Sequence, residues 1–208
     1  DQGLRRDFGG LVRSSEFLIT TSITEGFGFS FLEPWLYRKL LWGRKLPETC
    51  RDFEDNRINL EHLYTALRVP ADWIDLDRFR GIWRESVSRA CRLFNFELNS
   101  ASLTDAFDHL TSNGMVDFGL LDESSQKKAI LRIIADRRNT ARLIEINPFL
   151  AAPGSRSDDI ALIGGNRQAI LRKYNPEDYR RNLMAVYRKV CSNPVEQHID
   201  KSCLVSSF

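Results

Sequence analysis

The stretch from Thr20 to Leu36, TTSITEGFGFSFLEPWL, constrains the chain most, because it reads as a strand, a glycine turn and a helix start. Phe17 to Thr21 is a short apolar and β-branched run, as in a buried parallel strand. Gly26 and Gly28 break it, since glycine tolerates positive φ and lets other groups approach the backbone. Ser30 and Glu33 have the S-x-x-E spacing of a capping box, and Pro34 sits where a missing N–H is still cheap. The pattern predicts a strand over 17–21 and a helix from about 31 to 39. Such a turn presents backbone N–H groups and a positive helix end to the space beyond the strand, a place for an anion such as a diphosphate.

Glu25 and Glu33 bracket that turn. A carboxylate there repels a phosphate, but it suits a diol, whose two hydroxyls can both donate to it. Carboxylates on either side of an anion-binding turn therefore suggest a nucleotide-sugar, with hydroxyls flanking a diphosphate. The plainer alternative makes Glu33 the acidic half of a capping box, Glu25 a solvated loop acid, and the glycines a tight connection.

Glu25-Gly26-Phe27-Gly28 with Glu33 resembles the E-G-F-G and E-x7-E motif of retaining glycosyltransferases of the GT-B fold, family-4 type. Leu40-Leu41-Trp42-Gly43 stands where the next strand of that fold follows, and Pro47-Glu48 matches a proline-glutamate usual after it. Asn166-Arg167, Tyr174, Tyr179, Leu183 and Tyr187-Arg188 resemble the family's terminal helices. The similarity is close over roughly 11–54 and 160–190 and loose between them. Arg38, where a small residue is usual, and Leu40, where proline is common, depart from the pattern.

The resemblance implies an α/β chain: the C-terminal Rossmann-like half of a GT-B glycosyltransferase, truncated, with a large, mostly helical extension. It implies retaining transfer from a nucleoside-diphosphate sugar donor to an unknown acceptor, with no metal cofactor. Glu25, as the catalytic position, would hold the transferred sugar and Glu33 the ribose, while Gly26, Phe27, Gly28 and Phe29 lend backbone. Such chemistry rests on orientation and on stabilising the leaving diphosphate. The paired Arg and Lys that relatives carry upstream of the motif are absent, as is the N-terminal acceptor domain, so this chain alone is expected to be inactive. A non-catalytic helical interaction module derived from the same fold is the second expectation.

Composition narrows the classes further. The 208 residues suffice for one domain with a core, or one domain and an extension. Thirty Lys and Arg against 28 Asp and Glu, a net charge of +2, suggest neither a nucleic acid nor an anionic membrane as partner. Cys50, Cys91, Cys191 and Cys203 are far apart, pointing to reduced thiols and a cytoplasmic setting. His62, His109 and His198 have no metal-ligand spacing. No apolar run reaches transmembrane length, and no signal peptide is present. Starting at Asp1, the chain reads as a fragment or excised domain.

Along the chain, a short helix is predicted over 7–16 and a strand over 40–43, after which Arg44-Lys45 either face a phosphate or are solvated. The partial donor-binding segment spans 1–57, and a helical block of unknown role covers 58–150. Within that block, 59–67 is predicted as a helix closed by Pro70, and Asp75 or Asp77 as the cap of a helix reaching Phe94. Arg78, Arg80, Arg84, Arg89 and Arg92 lie on its solvated face. Ser100 or Ser102 opens the next helix, broken at Asn113-Gly114. Asp122 caps another, with Ala129, Ile130, Ile133 and Ile134 buried. After a linker over 151–157 come the terminal helices over 158–192, the second capped by Asn175 with Pro176 first in the helix, and a tail over 193–208.

Overall fold

The structure is a computed structural model that describes residues 8–97, 99–151 and 158–193. In chain order its main elements are α1 (Phe8–Ser14), β1 (Phe17–Thr20), α2 (Glu33–Leu36), β2 (Leu40–Gly43), α3 (Pro47–Asp55), β3 (Arg68–Pro70) and α4 (Leu76–Leu93). They continue with α5 (Ser100–Leu110), β4 (Met115–Asp117), α6 (Glu123–Ala135), α7 (Arg137–Ile146), α8 (Asp158–Lys173) and α9 (Pro176–Ser192). The chain is an α-rich α/β protein, and among the described residues its strands form two small sheets. It divides into two compact units, one made by residues 8–65 and 149–193 and the other by 66–148. Of the expected linker over 151–157 and the tail over 193–208, residues 152–157 and 194–208 lie outside the described residues.

The first unit is built on parallel crossovers. β1 pairs with β2 in the register Phe17↔Leu40 to Thr20↔Gly43. Arg44, just past β2, then bridges Tyr64 in parallel, with Tyr64 N–H on Gly43 C=O at 3.0 Å and Lys45 N–H on Tyr64 C=O at 2.7 Å. The progression is strand, helix, strand, helix, bridge, with β2 in the middle. Phe31, Trp35, Leu41, Cys50, Phe53, Ile58, Leu60, Leu63 and Ile170 form its core, so α8 supplies the far wall. The Trp35 indole donates to Phe31 C=O at 2.7 Å, which satisfies its buried N–H. Burial pushes the Cys50 thiol pKa up.

Several sequence expectations change here. The helix over 31–39 shrinks to a 3-10 turn, Phe29–Phe31, and one α turn, α2, on which Leu36 is exposed. Arg38 ends it with φ 56°, and Lys39 N–H reaches Pro34 C=O at 2.9 Å, closing a Schellman motif. The departure at Arg38 thus falls on a position whose left-handed backbone favours glycine. Arg57, φ 67°, closes α3 likewise, with Ile58 N–H on Phe53 C=O at 3.0 Å. Residues 59–67 form no helix, because Leu60 and Leu63 are buried from an irregular segment held by the Tyr64 bridge. α3 was not anticipated. β1 is only half covered, with Ile19 exposed and Thr20 buried.

The second unit sets the antiparallel pair β3–β4, register Val69↔Val116, among α4 to α7. Val69, Trp73, Phe79, Phe107, Val116 and Leu121 make its core. Caps follow the sequence at Asp75, whose carboxylate accepts from Arg78 N–H, and at Asp122, which accepts from Ser124 and Ser125 N–H. α5 is capped by Asn99, not by either serine. Ile130 and Ile134 are exposed, since α6 buries only Ser125 and Ala129. In the first unit α9 is capped by Asn175 as expected, yet buries no residue along its length. No helix among the described residues is long and apolar enough to cross a membrane.

Candidate functional site

The C-terminal end of β1 opens into a cleft of about 270 Å³. Phe8, Val12, Leu18, Pro34 and Leu41 give it an apolar floor, while Thr20, Thr21, Ser22, Ser30, Tyr37 and Glu33 supply polar groups. Glu33 is exposed and is the carboxylate in this lining. Thr20 is 5% exposed, and its hydroxyl oxygen is buried without a hydrogen-bond partner. A single carboxylate amid hydroxyls over an apolar floor suits the hydroxyl-bearing ring of a sugar or ribose.

Glu25 stands beside the cleft without lining it. Its Oε1 accepts from the Ser22 hydroxyl at 2.8 Å and from the Ser30 hydroxyl at 3.0 Å, and both serines do line the cleft. Glu25 therefore ties the strand end to the start of the 3-10 turn. This corrects the expected capping box: Ser30 sits inside the turn and turns to Glu25, and the residue before α2 is Leu32, which makes no side-chain cap. Glu33 is consequently not engaged in a capping box.

The glycines differ. Gly28 has φ 69°, and an added Cβ would lie 2.6 Å from Thr49 Cγ2 and 2.9 Å from Phe53 Cε2, so the turn is seated directly on α3. Gly26 has nothing within 4 Å of an added Cβ. Gly28 and Phe29 carbonyls accept from Phe31 and Leu32 N–H, each at 2.9 Å. Phe27 and Phe29 are exposed and stack on each other, ring centroids 5.8 Å apart. With α2 only one turn long, little helix dipole faces the cleft, less than the longer helix expected from the sequence would supply to an anion there. Lys45 is also committed: its ammonium pairs with Glu54 on α3 at 2.6 Å.

The structure thus brings Glu33, Ser30 and Ser22 together with Thr20, and places Glu25 one hydrogen bond behind them. Thr20 and Ser22 were not singled out from the sequence; the signal was there in a hydroxyl-rich strand end, Thr20-Thr21-Ser22, immediately before the glycine turn. Among the described residues no group of three or more His, Cys, Asp or Glu is placed to hold a metal ion. No family model matches the chain, and neither a curated protein nor a solved structure matches it.

Proposed function

We propose that the first unit binds a nucleoside-diphosphate sugar in the cleft at the end of β1, and that the chain is the donor-binding part of a retaining GT-B-type glycosyltransferase. The observation that carries this is the convergence of Glu33, Ser30, Ser22 and Thr20 on one cleft at a parallel strand's C-terminal end. Ligands of open α/β sheets bind at that end of the strands. Glu33 accepts from the ribose hydroxyls. Glu25 acts on the transferred sugar through Ser22 and Ser30, whose hydroxyls its Oε1 fixes at the cleft. The succession β1, α2, β2, α3 and the Tyr64 bridge is the βαβ progression such a half-enzyme needs.

Cations against the diphosphate and the acceptor site are supplied by a domain outside this chain. Binding without turnover is therefore the expected behaviour. Calorimetry of the purified chain with uridine and guanosine diphosphate sugars tests the proposal: saturable binding of one of them is expected, and no binding of any would leave the interaction-module alternative. That alternative draws on α9, where Tyr179, Val186, Tyr187 and Val190 are exposed along a helix that buries nothing.

A further inference from the structure

α4 outruns the core of the second unit. Phe79, near its start, is its buried residue, and no residue from 84 to 97 is buried. The far end is nonetheless well formed. Phe94 N–H reaches Ala90 C=O at 3.2 Å, Asn95 takes φ 51°, and Phe96 N–H closes on Cys91 C=O at 2.8 Å. That closure sets Phe94 and Phe96 on either side of Asn95 at the helix tip. Phe94 is 80% exposed, Phe96 64% and Leu93 63%. Two phenylalanines and a leucine held out on an ordered helix end have no packing role among the described residues.

Their charged surroundings indicate what covers them. Arg84, Arg89 and Arg92 on the same stretch are exposed and make no ion pair among the described residues. Further down α4, Arg78 pairs with Asp122 at 3.1 Å and Arg80 lies over the Phe107 ring, while Asp77 and Glu85 are the acids of the helix and Glu97 follows its tip. The three apolar side chains present roughly 400 Å², about half of what one partner contributes to a standard protein interface. Shallow insertion into a bilayer needs no more than a few such side chains when cations flank them. Long arginine stems can lie along the apolar surface while their guanidinium groups reach headgroup phosphates.

We infer that the tip of α4 docks on an anionic bilayer surface, with Leu93, Phe94 and Phe96 inserted at the headgroup level and Arg84, Arg89 and Arg92 on the acidic lipids. The contact is peripheral and weakens with salt, because its cations are solvent-exposed. It is independent of the cleft in the first unit.

The test is co-sedimentation of the full chain with vesicles of phosphatidylcholine alone or with about one quarter phosphatidylserine. Binding to the acidic vesicles, with little to the neutral ones, is expected. Arg89→Glu with Arg92→Glu should lower it about tenfold or more, and Phe94→Ser with Phe96→Ser should lower it comparably. Circular dichroism should show wild-type helix content in both variants, since all four side chains are exposed. Equal binding to both vesicles, absence of binding, or variants that bind like wild type would overturn the inference. So would vesicle-free self-association that the Phe94→Ser, Phe96→Ser pair abolishes, because the tip would then be a protein contact.

Discussion

Asn166 holds Asn59 by both of its backbone groups: Oδ1 accepts from the Asn59 N–H at 2.7 Å, and Nδ2 donates to the Asn59 C=O at 2.8 Å. Asn166 is 2% exposed and fixes the irregular segment after α3 against α8. Asn147 does the same for Arg68 in the other unit, at 2.8 and 2.7 Å. Replacing Asn166 with alanine removes the partner of both the Asn59 N–H and the Asn59 C=O. Asn166→Ala should cost about 2–4 kcal/mol, read as a lower urea midpoint, whereas a loss below about 0.5 kcal/mol would mean the clamp is ornamental.

Gly43 faces a harder limit. Its φ is 132°, and an added Cβ would stand 2.0 Å from the Thr20 carbonyl oxygen, across the β1–β2 pair. Gly43→Ala must push the strands apart, which should cost at least about 3 kcal/mol in thermal unfolding. Gly26→Ala meets open space and should shift stability by less than about 0.5 kcal/mol. Equal effects at the two positions would contradict the strand geometry.

Arg38 and Arg57 end α2 and α3 in the left-handed region, where a side chain costs more than glycine does. Arg38→Gly should therefore stabilise the chain by about 0.5–1 kcal/mol, seen as a higher melting temperature. A lower melting temperature would mean that the arginine side chain contributes more than its backbone costs.

Much of this architecture was legible wherever it is local. β1 and β2 show as apolar runs, and Asp75, Asp122 and Asn175 cap helices as side chains one turn from their partners do. The misreadings have a common origin in tertiary context. Leu60, Leu63 and Tyr64 have helical spacing, yet they serve a buried irregular segment and a parallel bridge. Ile130, Ile134 and the α9 face have helical spacing too, but nothing in the described residues covers them. In the cleft, Glu33 was legible by its distance from the glycine turn, whereas Ser30 was assigned to a capping box that its bond to Glu25 displaces. The Asn166–Asn59 clamp joins residues 107 apart, beyond any local pattern.

Acid should reveal the Asp122 cap. The Ser125 hydroxyl is the main cause holding the Asp122 pKa below its usual value, with the Ser125 N–H and the Arg78 guanidinium adding to it. A carboxylate whose pKa is lower folded than unfolded stabilises fully above its unfolded value, about 3.9, and loses that contribution as pH falls through the folded one. Asp122→Asn should therefore be less stable than wild type at neutral pH, with the gap closing below about pH 4. A gap that stays constant on acidification would assign the difference to packing.

Nucleotide binding by Glu33 variants tests the central claim most directly. Calorimetry of the chain with the nucleoside diphosphate of its preferred donor should show that Glu33→Ala loses about 1.5–3 kcal/mol, roughly ten- to a hundredfold in Kd. Glu25→Gln, whose amide oxygen can still accept from Ser22 and Ser30, should leave that affinity nearly unchanged. Equal affinity of wild type and a folded Glu33→Ala for every nucleotide diphosphate would contradict a ribose role for Glu33 and, with it, the assignment of the cleft.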